Sequence, residues 1–238
     1  MKVFLCGGGA GEQTAMARKC LNDSIDHRKP CLYIPLAMEP ERYDGCRKWI
    51  AGELSDVNVP EIRMVRSARE LAETELTDYS MIFLGGGNTF RLLHELKKYR
   101  FLSRLRSYLE KGGVAFGGSA GTIIFGRDLD ACSFDDLNET PVRETKGLDL
   151  LCGISIACHY TNRAPQQQEA FRQFLLELSK RKRIAALPEE TTLFLKDGTW
   201  KSIGGPFYFF ENGTEKIINQ NLQTGHESVM IPQQTSFF

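Results

Sequence analysis

The residues best suited to chemistry surround Ser119, in a segment at 117–121 with the sequence GGSAG. Residues 114–116 before it are apolar and predict a buried strand, and residues 122–125 after it predict a helix. A Gly-x-Ser-x-Gly sequence between a strand and a helix makes the sharp turn that lifts a serine hydroxyl above a sheet. These flanking elements favour a nucleophilic serine over a glycine turn that binds a phosphate or nothing.

Backbone N–H groups near this turn are candidates to stabilise an oxyanion. The start of the following helix makes the N–H of Ala120 one such donor. A second glycine loop, at 85–87, follows another predicted buried strand and precedes Asn88. In a parallel sheet this loop lies at the same edge as Ser119, which makes Gly87 a second candidate donor and Asn88 a candidate substrate-binding side chain. The alternative is a tight turn in which Asn88 only caps the next helix.

A third glycine loop, at residues 7–11, follows the first predicted strand. It lacks the G-x-G-x-x-G spacing, and no acidic residue ends a second strand where a ribose would be bound. We therefore predict a turn at the sheet edge and no dinucleotide site.

A serine hydroxyl is a weak nucleophile at neutral pH and needs a base, for which the chain offers four histidines. His159 follows the apolar run 154–158 and opens a polar segment, the strand-end position where catalytic groups meet. His27 lies in a charged stretch, His226 in a polar tail, and His94 within a predicted helix, so these three are predicted to be surface or core residues. The alternative for His159 is a strand-end histidine bonded to the backbone.

The base normally has a carboxylate partner that fixes its tautomer. Glu189 is the candidate, because it follows a predicted buried strand at 184–187 and a turn-forming proline. Its neighbour Glu190 is the alternative for the same role. The acidic residues between 128 and 136 are predicted to form a solvated loop.

Short apolar runs alternate with amphipathic stretches along the first 190 residues, which predicts an α/β fold with a mostly parallel sheet flanked by helices. The predicted strands are 3–6, 31–36, 81–84 and 114–116, followed by 184–187. The predicted helices are 15–21, 43–54, 89–96, 102–109 and 166–178.

The C-terminal part changes to the pattern of antiparallel hairpins. Asp197-Gly198 separates strands at 192–195 and 199–203, and Asn212-Gly213 separates strands at 207–210 and 216–218. We therefore predict one domain spanning 1–238, with a parallel α/β core at 1–190, an antiparallel hairpin extension at 191–220 and a loosely held tail at 227–238.

Composition excludes several functional classes. The chain has 238 residues, and thirty basic residues balance thirty acidic ones, so no overall field attracts nucleic acid or an anionic membrane. No apolar run reaches the roughly 20 residues of a membrane span. The seven cysteines are scattered without a CxxC pair, which predicts free thiols, a cytoplasmic location and no metal site.

Five segments together resemble the dipeptidase E and cyanophycinase family of serine peptidases. The resemblance extends over residues 1–212 and is carried by GGGNTF at 85–90, GGSAG at 117–121, HYTN at 159–162, LPE at 187–189 and GGP at 204–206. It implies a fold similar to class I glutamine amidotransferases, with serine in place of cysteine, and a Ser-His-Glu triad. It also implies a homodimer.

By this resemblance Ser119 is the nucleophile, His159 the base and Glu189 its partner, with Gly87 and Ala120 as the oxyanion hole. The order serine, histidine, glutamate along the chain differs from that of common α/β-hydrolases, in which the acid precedes the histidine. The order therefore argues against an esterase or lipase.

The leading expectation is hydrolysis of a small peptide through an acyl-enzyme, with no metal or organic cofactor. The alternatives are an amidase or amidotransferase-like hydrolase of a non-peptide amide, and a catalytically silent binding protein. Dipeptidase E recognises an N-terminal aspartyl residue with an arginine on the helix after the histidine, and the matching position here is Gln168. Gln168 and Arg163 are thus candidate substrate-binding residues, Arg172 is an alternative, and aspartyl specificity is not implied.

Overall fold

A computed structural model of the chain describes residues 1–140, 142–219 and 229–230. Its strands are β1 (Lys2–Cys6), β2 (Cys31–Ile34), β3 (Ile62–Met64), β4 (Met81–Leu84), β5 (Val114–Gly118), β6 (Ile154–Ala157), β7 (Arg183–Ala186), β8 (Thr192–Lys196), β9 (Thr199–Ile203), β10 (Phe207–Glu211), β11 (Thr214–Ile218) and β12 (Val229–Met230). Its helices are α1 (Ala15–Asn22), α2 (Tyr43–Glu53), α3 (Ala68–Glu73), α4 (Thr89–Lys97), α5 (Phe101–Glu110), α6 (Ala120–Ile123) and α7 (Pro165–Ser179).

The strands form two sheets. The larger has the order β12-β9-β8-β1-β5-β4-β2-β3. From β1 to β3 every neighbouring pair in that order is parallel, whereas β8, β9 and β12 continue the sheet antiparallel from β1. The parallel part places the loops after β4 and β5 side by side at one edge, where ligands bind in sheets of this kind.

The smaller sheet has the order β11-β10-β7-β6. Its β6 and β7 are parallel, and β10 and β11 extend it antiparallel. The predicted histidine and glutamate lie in the segments that follow β6 and β7. They are therefore held by a different sheet from the one that holds Ser119.

Both faces of the larger sheet are buried. In β1, Val3 and Leu5 belong to one hydrophobic cluster, whereas Phe4 and Cys6 belong to another on the opposite face. A third cluster packs α7 against the smaller sheet, with Phe171 from the helix and Phe210 from β10 fully buried. Burial on both faces explains why the strands are short continuous apolar runs.

The predicted fold class is confirmed, and each of the five predicted helices is present with its ends within one residue of the prediction. Both predicted hairpins are also present, and their turns have positive φ at both central residues, as type I′ turns require. The sequence did not indicate β3, α3 or the separation of β6 and β7 into a second sheet. The hairpins are integral to the two sheets, one to each.

The predicted loose tail, 227–238, lies outside the described residues except for β12, which pairs with β9. Within the described part of the chain, no helix is both long and apolar enough to cross a membrane.

Candidate active site

Ser119 occupies a strained turn at the end of β5. Its φ of 50° and ψ of −113° lie outside the usual helical and extended regions. The N–H groups of Thr122 and Ile123 donate to the Ser119 carbonyl oxygen, at 2.8 and 3.1 Å, and so hold the turn. The Ser119 side chain is half-buried. This is the geometry that the Gly-x-Ser-x-Gly pattern predicts.

His159 follows β6 and meets Ser119 from the smaller sheet. The Nε2 atom of His159 lies 2.8 Å from the Oγ atom of Ser119. The backbone N–H of His159 donates to the carbonyl oxygen of Gly7 at 2.9 Å, which ties the end of β6 to the end of β1. The His159 backbone has a φ of 57°, so it also lies in the left-handed region.

Glu189 follows β7 and extends the series of hydrogen bonds. Its Oε1 atom lies 2.8 Å from the Nδ1 atom of His159. Its Oε2 atom accepts a hydrogen bond from Nε2 of Gln13 at 3.2 Å, and its backbone N–H donates to Oδ1 of Asn162 at 2.9 Å. Among the described contacts, Glu190 makes none with His159. Of the two acids that the sequence offered, Glu189 is therefore the one that contacts His159.

The loop at residues 7–11 packs against both His159 and Glu189. A Cβ atom at Gly8 would lie 2.1 Å from Cε1 of His159, so a side chain there would displace the imidazole ring. The N–H of Gly9 donates to the Glu189 carbonyl oxygen at 3.1 Å. The predicted edge turn thus supports the histidine and the glutamate.

Sequence reasoning did not select Gln13 or Asn162. Asn162 lies in the HYTN segment beside His159, so its position in that motif was an available signal. Gln13 lies in an exposed 3₁₀ turn and belongs to no recognisable pattern.

The two candidate oxyanion donors flank the serine. Ala120 directly follows Ser119, and Gly87 lines the same cavity as Ser119. The hydrogen bonds found among the described residues leave the N–H groups of Gly87 and Ala120 without an acceptor. Both groups are therefore available to a substrate oxygen.

Helix α6 lies two residues earlier than predicted, because it begins at Ala120 and ends at Ile123 instead of extending over residues 122–125. The carbonyl oxygens of residues 124–126 accept hydrogen bonds from the N–H groups of residues 148–150, which removes them from a helical ladder. A helix of one turn has a small dipole, so the N–H of Ala120 contributes mainly as a local donor.

A cavity of about 470 Å³ opens beside Ser119. Its walls come from the loops after β4, β5, β6 and β7 together with the first turns of α7. The lining residues are Gly87, Thr89, Ser119, Ile123, Ala131, Cys132, Asp135, Asp136, Cys158, His159, Asn162, Arg163, Gln167, Phe171 and Glu189. In the described ranges, no group of three or more histidine, cysteine, aspartate or glutamate side chains is arranged to hold a metal ion.

Asn88 is not among the residues that line this cavity. Its Oδ1 atom accepts a hydrogen bond from the N–H of Arg91 at 2.9 Å, and its Nδ2 atom donates to the Leu137 carbonyl oxygen at 2.9 Å. Both ends of the amide are used within the protein. Asn88 is the N-cap of α4, which was the alternative to a substrate-binding role.

Gln168 is also absent from the lining, where Gln167 lies instead. Successive residues on a helix point about 100° apart. A match to the family that is wrong by one position therefore selects Gln168, on a different face of α7 from Gln167. The Oε1 atom of Gln168 is buried and has no hydrogen-bond partner among the described residues.

Arg163 lines the cavity but is already paired. Its guanidinium donates to both carboxylate oxygens of Asp135, at 2.7 and 2.6 Å, and lies 3.9 Å from the ring centre of Phe171. Arg172 pairs with Glu215 and does not reach the cavity wall.

Two buried thiols, those of Cys132 and Cys158, complete the wall. Burial raises the pKa of both groups, so both are protonated thiols at neutral pH. The serine is therefore better placed than either thiol to act as a nucleophile.

The chain is similar to known peptidases over most of its length. Residues 3–203 match the model of peptidase family S51. Peptidase E from Salmonella typhimurium (strain LT2) is 27% identical over 217 residues, which cover 86% of this chain and 88% of that protein. Peptidase E from Salmonella choleraesuis (strain SC-B67) matches to the same extent, at 27% identity over 217 residues.

Two solved structures share the fold. A crystal structure of a peptidase from an acI-B1 actinobacterium has a TM-score of 0.69 at 17% identity and covers 96% of both chains. A structure described as a peptidase E protein from Listeria monocytogenes EGD-e has a TM-score of 0.67 at 18% identity, covering 84% of this chain and 96% of that one. Because the family match spans most of the chain, the protein belongs to peptidase family S51 and is a serine-type peptidase.

Proposed function

We propose that this peptidase hydrolyses dipeptides and other very short peptides through an acyl-enzyme on Ser119. The observation that carries the proposal is the unbroken series of hydrogen bonds from Ser119 through His159 to Glu189, each 2.8 Å long. The match to peptidase family S51 favours a peptide over a non-peptide amide as the substrate.

In the proposed mechanism, Nε2 of His159 accepts the proton of the Ser119 hydroxyl as Oγ attacks the substrate carbonyl carbon. Glu189 holds the proton on Nδ1 of His159 and stabilises the imidazolium that forms. His159 then gives its proton to the leaving amine when the C–N bond breaks. Water, activated by the same histidine, hydrolyses the ester and regenerates Ser119.

The tetrahedral intermediate carries a negative oxygen that needs donors. We assign this role to the N–H groups of Gly87 and Ala120, since neither has another acceptor within the described residues. Loss of one such donor in a serine peptidase lowers the rate by about a hundredfold or more.

The volume of the cavity supports a small substrate. About 470 Å³ is in the range of small-molecule sites, and only a short peptide can be enclosed at this volume. An endopeptidase would instead need an extended cleft to bind several residues on each side of the scissile bond.

The charges in the cavity wall support a free N-terminal amine as the group that is recognised. The wall contains the carboxylates of Asp135, Asp136 and Glu189 but one guanidinium, that of Arg163. Because Arg163 already pairs with Asp135, the excess charge is negative. This charge attracts an ammonium group and repels an aspartyl side chain.

A substrate panel tests the proposal. Wild-type protein and Ser119→Ala are compared on alanyl dipeptides, their N-acetylated forms, tetrapeptides, aspartyl dipeptides, simple amides and esters. We expect free dipeptides to be the best substrates, with aspartyl and N-acetylated forms at least about tenfold worse in kcat/KM. Preferential hydrolysis of simple amides would establish an amidase and contradict the proposal.

We also propose a reducing compartment such as the cytoplasm. The support is that all seven cysteines are free thiols.

A further inference from the structure

A second depression, of about 480 Å³, lies on the other side of the glycine loop from the cavity that contains Ser119. Its floor is formed by Tyr33 of β2, Cys46 and Trp49 of α2, and Met38 from the connection between them. Trp49 is 41% exposed, so part of its ring is available to contact a ligand. No step of the proposed mechanism uses this depression.

The glycine loop at residues 85–87 is the wall between the two spaces. Gly87 lines the cavity with Ser119, whereas Gly86 lines the depression with Trp49. A Cβ atom at Gly86 would lie 3.3 Å from Cβ of Ser119 and 3.9 Å from its Oγ atom. The depression therefore begins directly beside the nucleophile in space.

The loop places no side chain between the two spaces, because residues 85–87 are all glycine. Met38 lies directly behind it, since a Cβ atom at Gly87 would lie 2.7 Å from the Met38 Sδ atom. Gly86, which lines the depression, lies beside the Ser119 side chain, so the depression adjoins the nucleophile.

The chemistry of the floor is apolar and aromatic. The Trp49 ring lies 6.0 Å from the ring of Phe83 and 6.4 Å from that of Tyr33, so it is held in place by packing. The rim carries one carboxylate, that of Glu41, and one guanidinium, that of Arg42. These opposite charges offset each other, so selection in the depression rests on apolar contact.

We propose that the depression is the subsite for the residue after the scissile bond, and that it selects a large apolar or aromatic side chain through Trp49. The inference rests on the proposed function, which assigns the acidic cavity to the N-terminal residue and its ammonium group. With that residue in the cavity, the leaving residue is the one that extends past Gly86 to Trp49.

Two dipeptide series test this assignment. In the first series, Ala-X, X is glycine, alanine, leucine or phenylalanine, and in the second, X-Ala, the same residues precede the scissile bond. For the wild type we expect kcat/KM to be at least about tenfold higher for Ala-Phe than for Ala-Gly. Trp49→Ala should remove most of this preference and leave the X-Ala series unchanged. Tyr99→Ala, which removes an exposed aromatic ring that does not line the depression, is the matched control and should change neither series.

A binding measurement separates this inference from the proposed function. Ala-Phe is titrated into the Ser119→Ala protein while tryptophan emission is followed. Trp49 should respond, and the response should disappear in Ser119→Ala with Trp49→Phe, since the other tryptophan, Trp200, is buried. If dipeptides are not hydrolysed but Trp49 responds to Ala-Phe, the proposed function fails, whereas the depression is still the place where the aromatic second residue binds. Equal rates across the Ala-X series with no response from Trp49, or an effect of Trp49→Ala on the X-Ala series alone, would overturn the assignment.

Discussion

The Oγ atom of Ser119 and the Nε2 atom of His159 lie 2.8 Å apart, although the two residues follow strands of different sheets. The hydrogen bond from the His159 N–H to the Gly7 carbonyl oxygen joins the ends of those sheets beside this contact. The distance between nucleophile and base therefore depends on how β1 and β6 are held together.

Glu189→Gln should strongly reduce activity, whereas Glu190→Gln should not. The carboxylate of Glu189 is the group that contacts Nδ1 of His159, and an amide would neither fix the required tautomer nor stabilise the imidazolium. We expect kcat/KM to fall by roughly a thousandfold or more for Glu189→Gln and to change by less than about threefold for Glu190→Gln. Circular dichroism of both variants is the control for folding, and the reverse order of effects would refute the assignment.

Gln13→Ala should lower kcat with little change in KM. Gln13 donates to the Glu189 oxygen that does not face His159, so it is a positioning residue that acts through the carboxylate. A hydrogen bond from an exposed amide to this half-buried carboxylate is worth about 1 kcal/mol, which corresponds to roughly a fivefold decrease in kcat. The pH profile of kcat should shift as well, whereas a purely structural effect would lower the melting temperature and leave the profile in place.

Asn88→Ala should destabilise the protein by about 1 kcal/mol without raising KM, because the side chain caps α4. Urea unfolding gives the loss of free energy, and steady-state kinetics give KM. Asn88→Ser, which retains a capping oxygen, is the matched control and should recover most of the stability. A large increase in KM for both variants at unchanged stability would restore the substrate-binding role.

Iodoacetamide at neutral pH should inactivate the enzyme slowly, although Cys132 and Cys158 line the cavity. Burial raises the pKa of both thiols, so the reactive thiolate is scarce until the pH is well above the ordinary thiol value of about 8.5. Peptide mapping should find the label first on Cys152, which is exposed. Rapid inactivation with the label on Cys132 or Cys158 would contradict the inference that burial keeps these two thiols protonated and unreactive.

The elements that the sequence predicts well are those set by local patterns. Helix α7 has apolar residues at helical spacing and a proline at its start, and Asn212-Gly213 suits the hairpin turn that is observed. The strand and glycines around Ser119 likewise predict its turn. Local sequence does not specify which buried strands pair, because pairing depends on contacts between distant residues. The second sheet could not be predicted for that reason.

The site was predictable where the family resemblance decided among the roles that a residue type can have at its position. A histidine at a strand end can act as a base or only bond to the backbone, and the family resemblance, not the position alone, favoured His159 and Glu189. Asn88 likewise suits a helix cap and a ligand equally well from its sequence context. Gln167 and Gln168 differ only in the face of α7 that they occupy, which depends on the rotation of the helix against its neighbours. Gln13 is an exposed glutamine in a short turn, and only the folded chain brings it to Glu189.

The most direct test of the central claim is active-site labelling with a fluorophosphonate, followed by peptide mapping. The account predicts a single adduct on Ser119, because the contact with His159 activates this hydroxyl. Ser119→Ala should abolish labelling, and His159→Ala should slow it strongly while the protein remains folded. An adduct on another residue, or no adduct on a folded wild-type protein, would contradict the claim that Ser119 is the nucleophile.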